Sequence, residues 1–149
     1  MAADMPVAAV VVAVSPTSGS PAALRWGAAE AARRQSPLVA VSAWRPPRPP
    51  ISTGTRPPLV STDADASLDE AKAQLKAHVR ATLGEDAEVQ TEVVHGSTFR
   101  VLLQASETAD LLVLDAPRRI EFPEAPLLAY RLVHAAECPV VIMPPATIG

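Results

Sequence analysis

Two kinds of segment alternate along this chain, and the alternation leaves few folds open. VAAVVVAV (7–14), LVAVSAW (38–44) and DLLVLD (110–115) are short, nearly unbroken apolar runs. A strand reads this way when both of its faces are covered, as in a parallel sheet packed between helices. Between the runs lie stretches of helical period. PAALRWGAAEAARR follows SPTSGSP, with Ser20 placed as an N-cap and Pro21 at the first helical position. Ser67-Leu68-Asp69-Glu70 has capping-box spacing, and Leu68, Ala71, Leu75, Val79 and Leu83 follow on one face until Gly84 closes the helix. Ser97 is expected to cap a third helix that turns Phe99, Leu102 and Leu103 inward, and a fourth, over 124–136, is expected to bury Leu128, Leu132 and Ala135.

The remaining strands carry their own signatures. In EVQTEVV, Val89, Thr91 and Val93 alternate with Glu88, Gln90 and Glu92, the mark of a half-exposed strand at a sheet edge. PVVIM (139–143) is a last, short strand. The order β-α-β-α-β-α-β-α-β, with short right-handed crossovers, gives an α/β fold of three layers: a doubly wound, five-stranded parallel sheet of Rossmann-like type. Its 149 residues form one expected domain, 1–149, with a proline-rich loop at 45–65. Six prolines between Arg45 and Pro58 exclude regular structure there.

Composition narrows the function. Aromatic residues make up only 3% of the chain, so the core must be built from Val, Leu and Ala. A net charge of −3 argues against a nucleic-acid surface. The start, MAADMPVAAVVVAV, lacks a basic n-region, and its apolar run is too short to span a bilayer, so no membrane association is expected and a cytoplasmic location is. The single cysteine, Cys138, excludes an internal disulfide and any multi-cysteine metal site, and its place before an apolar strand marks it as a packing residue.

Ligands in such sheets bind beyond the carboxyl ends of the strands, near the topological switch point. The turns there carry no GxxxxGK[ST], no GxGxxG and no GxSxG; the first turn has Gly19 alone. An acidic pair after the first strand and a lysine after the last would mark a phosphoacceptor domain, but those places hold Ser15-Pro16 and Pro144-Pro145. His78, His95 and His134 have no ligand spacing; His78 and His134 are expected to be solvated or capping residues on helices, and His95 ends the third strand. No nucleophile–base pair is visible, and no enzymatic activity is expected.

VVVAVSPTSGSPAALRWGAAEAARR, VVHGSTFRVLLQASETADLLVL and AAECPVVIMP, in this order and spacing, resemble the first strand and helix, the glycine turn through the fourth strand, and the Cys-Pro end of the universal stress protein family. The resemblance covers most of the chain outside the proline-rich loop. It implies a strand order of 3-2-1-4-5, a stress-associated regulatory or interaction role, and a homodimer paired through Val140, Val141, Ile142 and Met143, with an unidentified protein partner. It also implies a nucleotide site at the positions of Ser15, Thr17, Val41, Asp115, Arg118 and Arg119.

Members that bind ATP carry an acidic residue after the first strand and G-x2-G-x9-G-[ST] after the fourth. This chain has Ser15 at the first place, Asp115 and Arg118 at the first two glycines, and Pro126 and Leu127 at the last pair. Prolines offer no N–H, and non-glycine residues resist the positive φ of such cradles. Arg118 and Arg119 are capable phosphate ligands. With Asp115, Glu121 and Glu124 in the same stretch, however, two positive and three negative charges leave it at −1, and a self-paired, solvated loop is expected. No cofactor is therefore expected, and ATP is expected to bind weakly or not at all. The alternative is a sensor of a nucleotide or another anion, held between Ser15–Ser20 and Arg118/Arg119.

Overall fold

The computed structural model describes residues 5–46, 63–116 and 125–144. Among the described residues, five strands alternate with four helices: β1 (Val10–Ala13), α1 (Pro21–Arg34), β2 (Leu38–Trp44), α2 (Asp63–Leu83), β3 (Gln90–His95), α3 (Thr98–Ala105), β4 (Leu111–Asp115), α4 (Ala125–Ala135) and β5 (Val140–Met143). All neighbouring strands are parallel, in the order β3-β2-β1-β4-β5, as expected. β1 lies at the centre, with Val12 beside Ala40 of β2 and Val113 of β4. The alternating strand β3 and the short β5 are the two edges.

The apolar runs are continuous because the sheet has two cores. Val10, Val12, Val14, Ala40 and Val113 face α1 and α2, where Leu24, Ala31, Leu75 and Val79 meet them. Ala9, Val11, Val39, Val41, Leu112 and Leu114 face α3 and α4, against Val101, Leu102, Ala105 and Leu132. Each fully buried Val or Leu contributes about 1.5–3 kcal/mol, so the strand buried on both faces is the main source of stability.

Three expectations at helix level need correction. α2 begins at Asp63, a full turn before the capping-box serine. Alanine at 64 and 66 and an acidic Asp65 favour helix there, since alanine has the best propensity and anions suit the N-terminal dipole. Ser67 is thus inside the helix. In α3 the buried stripe is Val101, Leu102 and Ala105, while Leu103 sits at its margin. In α4, Leu132 is fully buried with Leu128, Ala129 and Ala136 packed around it, and Ala135 faces out. Ser97 does cap α3, its Oγ accepting the Arg100 N–H at 3.3 Å.

α1 packs unusually close to the sheet. Gly27 is buried in the middle of the helix, and a Cβ there would lie 2.5 Å from Val12 Cγ2. The lower end of α1 is tied by charge. Glu30 binds Arg33 and Arg34, and their hydrogen bonds draw its carboxyl down to about 2. Arg34 also reaches Asp110 at the foot of β4, at 2.5 Å. Cys138 is partly buried against the α3–α4 core, and burial pushes its thiol up.

The close approach of α1 gives a test. Gly27→Ala gains about 0.5–1 kcal/mol of helix propensity but overpacks against β1, at a cost of about 1–3 kcal/mol. Val12 is fully buried and has no room to yield, so urea denaturation should show a net loss of stability.

Candidate functional site

β1 ends at the centre of the sheet, and the chain must turn there into α1. The turn from Ser15 to Pro21 satisfies itself. The Ser15 N–H donates to Ser20 Oγ at 2.9 Å. Ser15 Oγ in turn accepts the N–H groups of Thr17 and Ser18, at 3.2 and 3.4 Å. The Gly19 N–H donates to the Ser15 carbonyl at 2.8 Å, and the Ser20 N–H to Ser18 Oγ at 3.2 Å. Pro16 and Pro21 have no N–H to offer. Every backbone donor of the turn is spent within it.

Ser20 therefore does not cap α1 by its side chain, contrary to expectation. It adopts φ 47 and ψ 54, a left-handed conformation that aims its hydroxyl back at Ser15. The cap comes from across the sheet. Asp115, at the end of β4, accepts the Ala23 N–H of the first turn of α1 through Oδ1 at 3.0 Å. The first turn of α1 carries no acidic residue of its own, so Asp115 supplies the negative charge that suits the helix dipole. Burial pushes the Asp115 carboxyl above its ordinary value, and the Ala23 N–H draws it partly back.

On the other side of the turn, α2 closes over it. Gln74 Nε2 donates to the Pro16 carbonyl at 3.1 Å, and His78 Nε2 meets the same oxygen at 3.1 Å. A carbonyl only accepts, so His78 carries a proton on Nε2. His78 is thus a partly exposed latch for the β1–α1 turn. Its ring explains Gly19, which has φ +77 and lies so close that a Cβ would come 2.4 Å from His78 Nδ1.

Between this turn, the end of β2 and α2 lies a pocket of about 200 Å³, lined by Pro16, Ala43, Trp44, Glu70, Gln74 and Leu75 among others. Trp44 is held in its wall by Nε1 donating to Ser67 Oγ at 3.3 Å and by an edge contact with His95, ring centres 5.8 Å apart. Ser42 Oγ donates to the Val14 carbonyl at 2.7 Å, which locks the two strand ends together.

The expected site residues are placed unevenly. Ser15 and Thr17 lie in the self-bonded turn. The Val41 side chain packs on the α3–α4 face, and its carbonyl takes the Val14 N–H at 2.8 Å. Asp115 reaches the helix terminus beside the turn, and Arg118 and Arg119 lie outside the described residues. Of the four β5 residues, Val141 and Met143 pack toward α1 and α2, and Val140 packs toward α3 and α4. Ile142 is 38% exposed. His134 stacks edge-on against Tyr130, and no cluster of three metal-ligating side chains exists among the described residues. Sequence reasoning missed the α2 wall. Glu70, Gln74 and His78 recur every four residues, a polar stripe beside the apolar face that could have pointed to it.

The chain matches the family model described as "Universal stress protein family" over residues 7–144. Among solved structures it resembles the universal stress protein UspA from Lactobacillus plantarum, with 19% identity, TM-score 0.65, and 94% of this chain and 99% of that one covered. A universal stress protein solved in complex with cAMP shares 18% identity at TM-score 0.59, with 95% of this chain and 100% of that one covered. The universal stress protein from Archaeoglobus fulgidus in complex with dAMP shares 20% identity at TM-score 0.53, with 93% and 98% covered. No curated protein matches the chain.

Asp115 separates two effects that a pair of variants resolves. Asp115→Ala removes the cap of α1 and should cost about 0.5–2 kcal/mol. Asp115→Asn keeps an acceptor oxygen and has no charge to bury. Since the folded-state carboxyl is raised, its ionisation opposes folding at neutral pH, and that burden vanishes as pH falls through the raised value. Asp115→Asn should therefore be at least as stable as wild type at pH 7 by thermal denaturation, with the advantage lost in acid.

Proposed function

Because the chain belongs to the universal stress protein family, we propose that it is a single-domain, non-enzymatic regulatory protein of the cytoplasm. It acts through protein contacts and does not depend on ATP. One observation carries this reading: the five N–H groups of the Ser15–Pro21 turn all donate within the turn. A phosphate bound there would have to break those bonds and approach the Asp115 carboxylate. Hydrogen bonds to charged groups are worth about 1.5–3 kcal/mol each, so losing two phosphate contacts weakens binding roughly 10²–10⁴-fold.

The partner surface in this reading is the β5 edge. Among the described residues β5 pairs with β4 on one side only, and Val140–Met143 are apolar throughout. An apolar edge strand invites pairing unless it is covered. A second copy, joined edge to edge, covers it. The complexes of relatives with cAMP and dAMP favour a second reading, a sensor of a nucleotide or similar anion held by the Ser15–Ser20 turn with Arg118 and Arg119.

Two measurements test these readings. Calorimetry with Mg-ATP and with cAMP should give no heat. A dissociation constant below about 10 μM, lost in an Arg118→Ala/Arg119→Ala variant, would support the sensor instead. Light scattering at micromolar concentration should give the mass of a dimer, and Ile142→Lys should give a monomer of unchanged circular dichroism. Ile142 is the residue to change because Val141 also packs into the core. A wild-type monomer would end the edge-pairing proposal.

A further inference from the structure

The pocket beside Trp44 is unsuited to an anion and well suited to the opposite charge. Among the described residues that line it none is Lys or Arg, and the one carboxylate is Glu70. Glu70 has no hydrogen bond or ion pair among the described residues. Several polar groups of the lining are already engaged: Trp44 Nε1–H on Ser67, Ser42 Oγ–H on Val14, and Gln74 and His78 on the Pro16 carbonyl. With Gln74 Nε2 turned to Pro16, Gln74 Oε1 is left as a further acceptor. Acceptor oxygens and a single negative charge thus stand against apolar wall supplied by Ala43, Ala71, Leu75 and the indole of Trp44.

The volume, about 200 Å³, is below the usual range for drug-sized ligands, about 300–1,000 Å³, and suits a single ring. A carboxylate pairs best with a flat cation that presents two parallel N–H groups, and an indole face attracts a cation as well. We propose that this pocket binds a small planar organic cation of the amidinium or guanidinium class. The cationic head pairs with Glu70, and the body packs on Ala71, Leu75 and Trp44. This site is separate from the phosphate question, because such a ligand needs no glycine cradle and no free N–H from the β1–α1 turn.

Benzamidine is the probe, with benzoate and benzamide as controls of the same ring and different charge. Calorimetry on the full chain should show benzamidine binding with a dissociation constant of about 1 mM or tighter, and benzoate at least about tenfold weaker. Trp44 lines the pocket, so benzamidine should also change the tryptophan emission, and in a Trp44→Phe variant, which keeps Trp26, that change should vanish. Glu70→Gln should weaken benzamidine at least about tenfold without lowering the melting temperature, because Glu70 is exposed and unpaired among the described residues. No heat with benzamidine overturns the proposal. So does equal binding of benzoate, or binding that Glu70→Gln leaves unchanged. An adenine nucleotide that competes with benzamidine and binds more tightly would instead assign the pocket to an anionic ligand.

Discussion

The fold depends on one constraint: a central parallel strand must be covered on both faces at once. Val10, Val11 and Val12 are at most 1% exposed, and each points to the core opposite its neighbour's. That requirement sets where the helices lie, with α1 and α2 on one face and α3 and α4 on the other. It also sets where β1 must leave the sheet. The exit falls between β2 and β4, at the switch point, where backbone groups would be left exposed to whatever ligand came. How those groups are satisfied decides what the site can bind.

Here they are satisfied internally. Serine hydroxyls close the turn, α2 reaches over to the Pro16 carbonyl, and Asp115 takes the terminus of α1. A glycine-rich turn leaves its backbone donors free for phosphate. This turn has its partners built in. Universal stress proteins of the same fold have been solved in complex with cAMP and with dAMP; a fold does not by itself fix the chemistry of its site.

The architecture was legible because strands covered on both faces leave apolar runs, and covered helices leave a 3.6-residue stripe. Strand order came from the family resemblance and agrees with the register seen. What failed was local and polar. Ser20 has the composition of a cap, yet its backbone sits in the left-handed region and its hydroxyl serves Ser15. Composition does not specify φ. Asp115 caps a helix 92 positions away, and no spacing rule reaches that far. The α2 wall was hidden for a related reason. Gln74 and His78 carry no ligand spacing, and their role becomes visible only when the turn they touch is in place.

Asp115 and Arg34 have a joint mechanical consequence. Asp115 leaves the top of β4 to hold the start of α1, while Arg34 leaves the end of α1 to hold Asp110 just below the same strand. The helix, about 21 Å long at 1.5 Å per residue, is therefore a beam fixed at both ends to one neighbouring strand. A beam so held does not slide along the sheet. If the upper fixing were released by a competing ligand, the lower one would remain and act as a pivot. The only soft motion left to α1 would be a tilt that lifts its first turn away from β4, with Arg34 as the hinge.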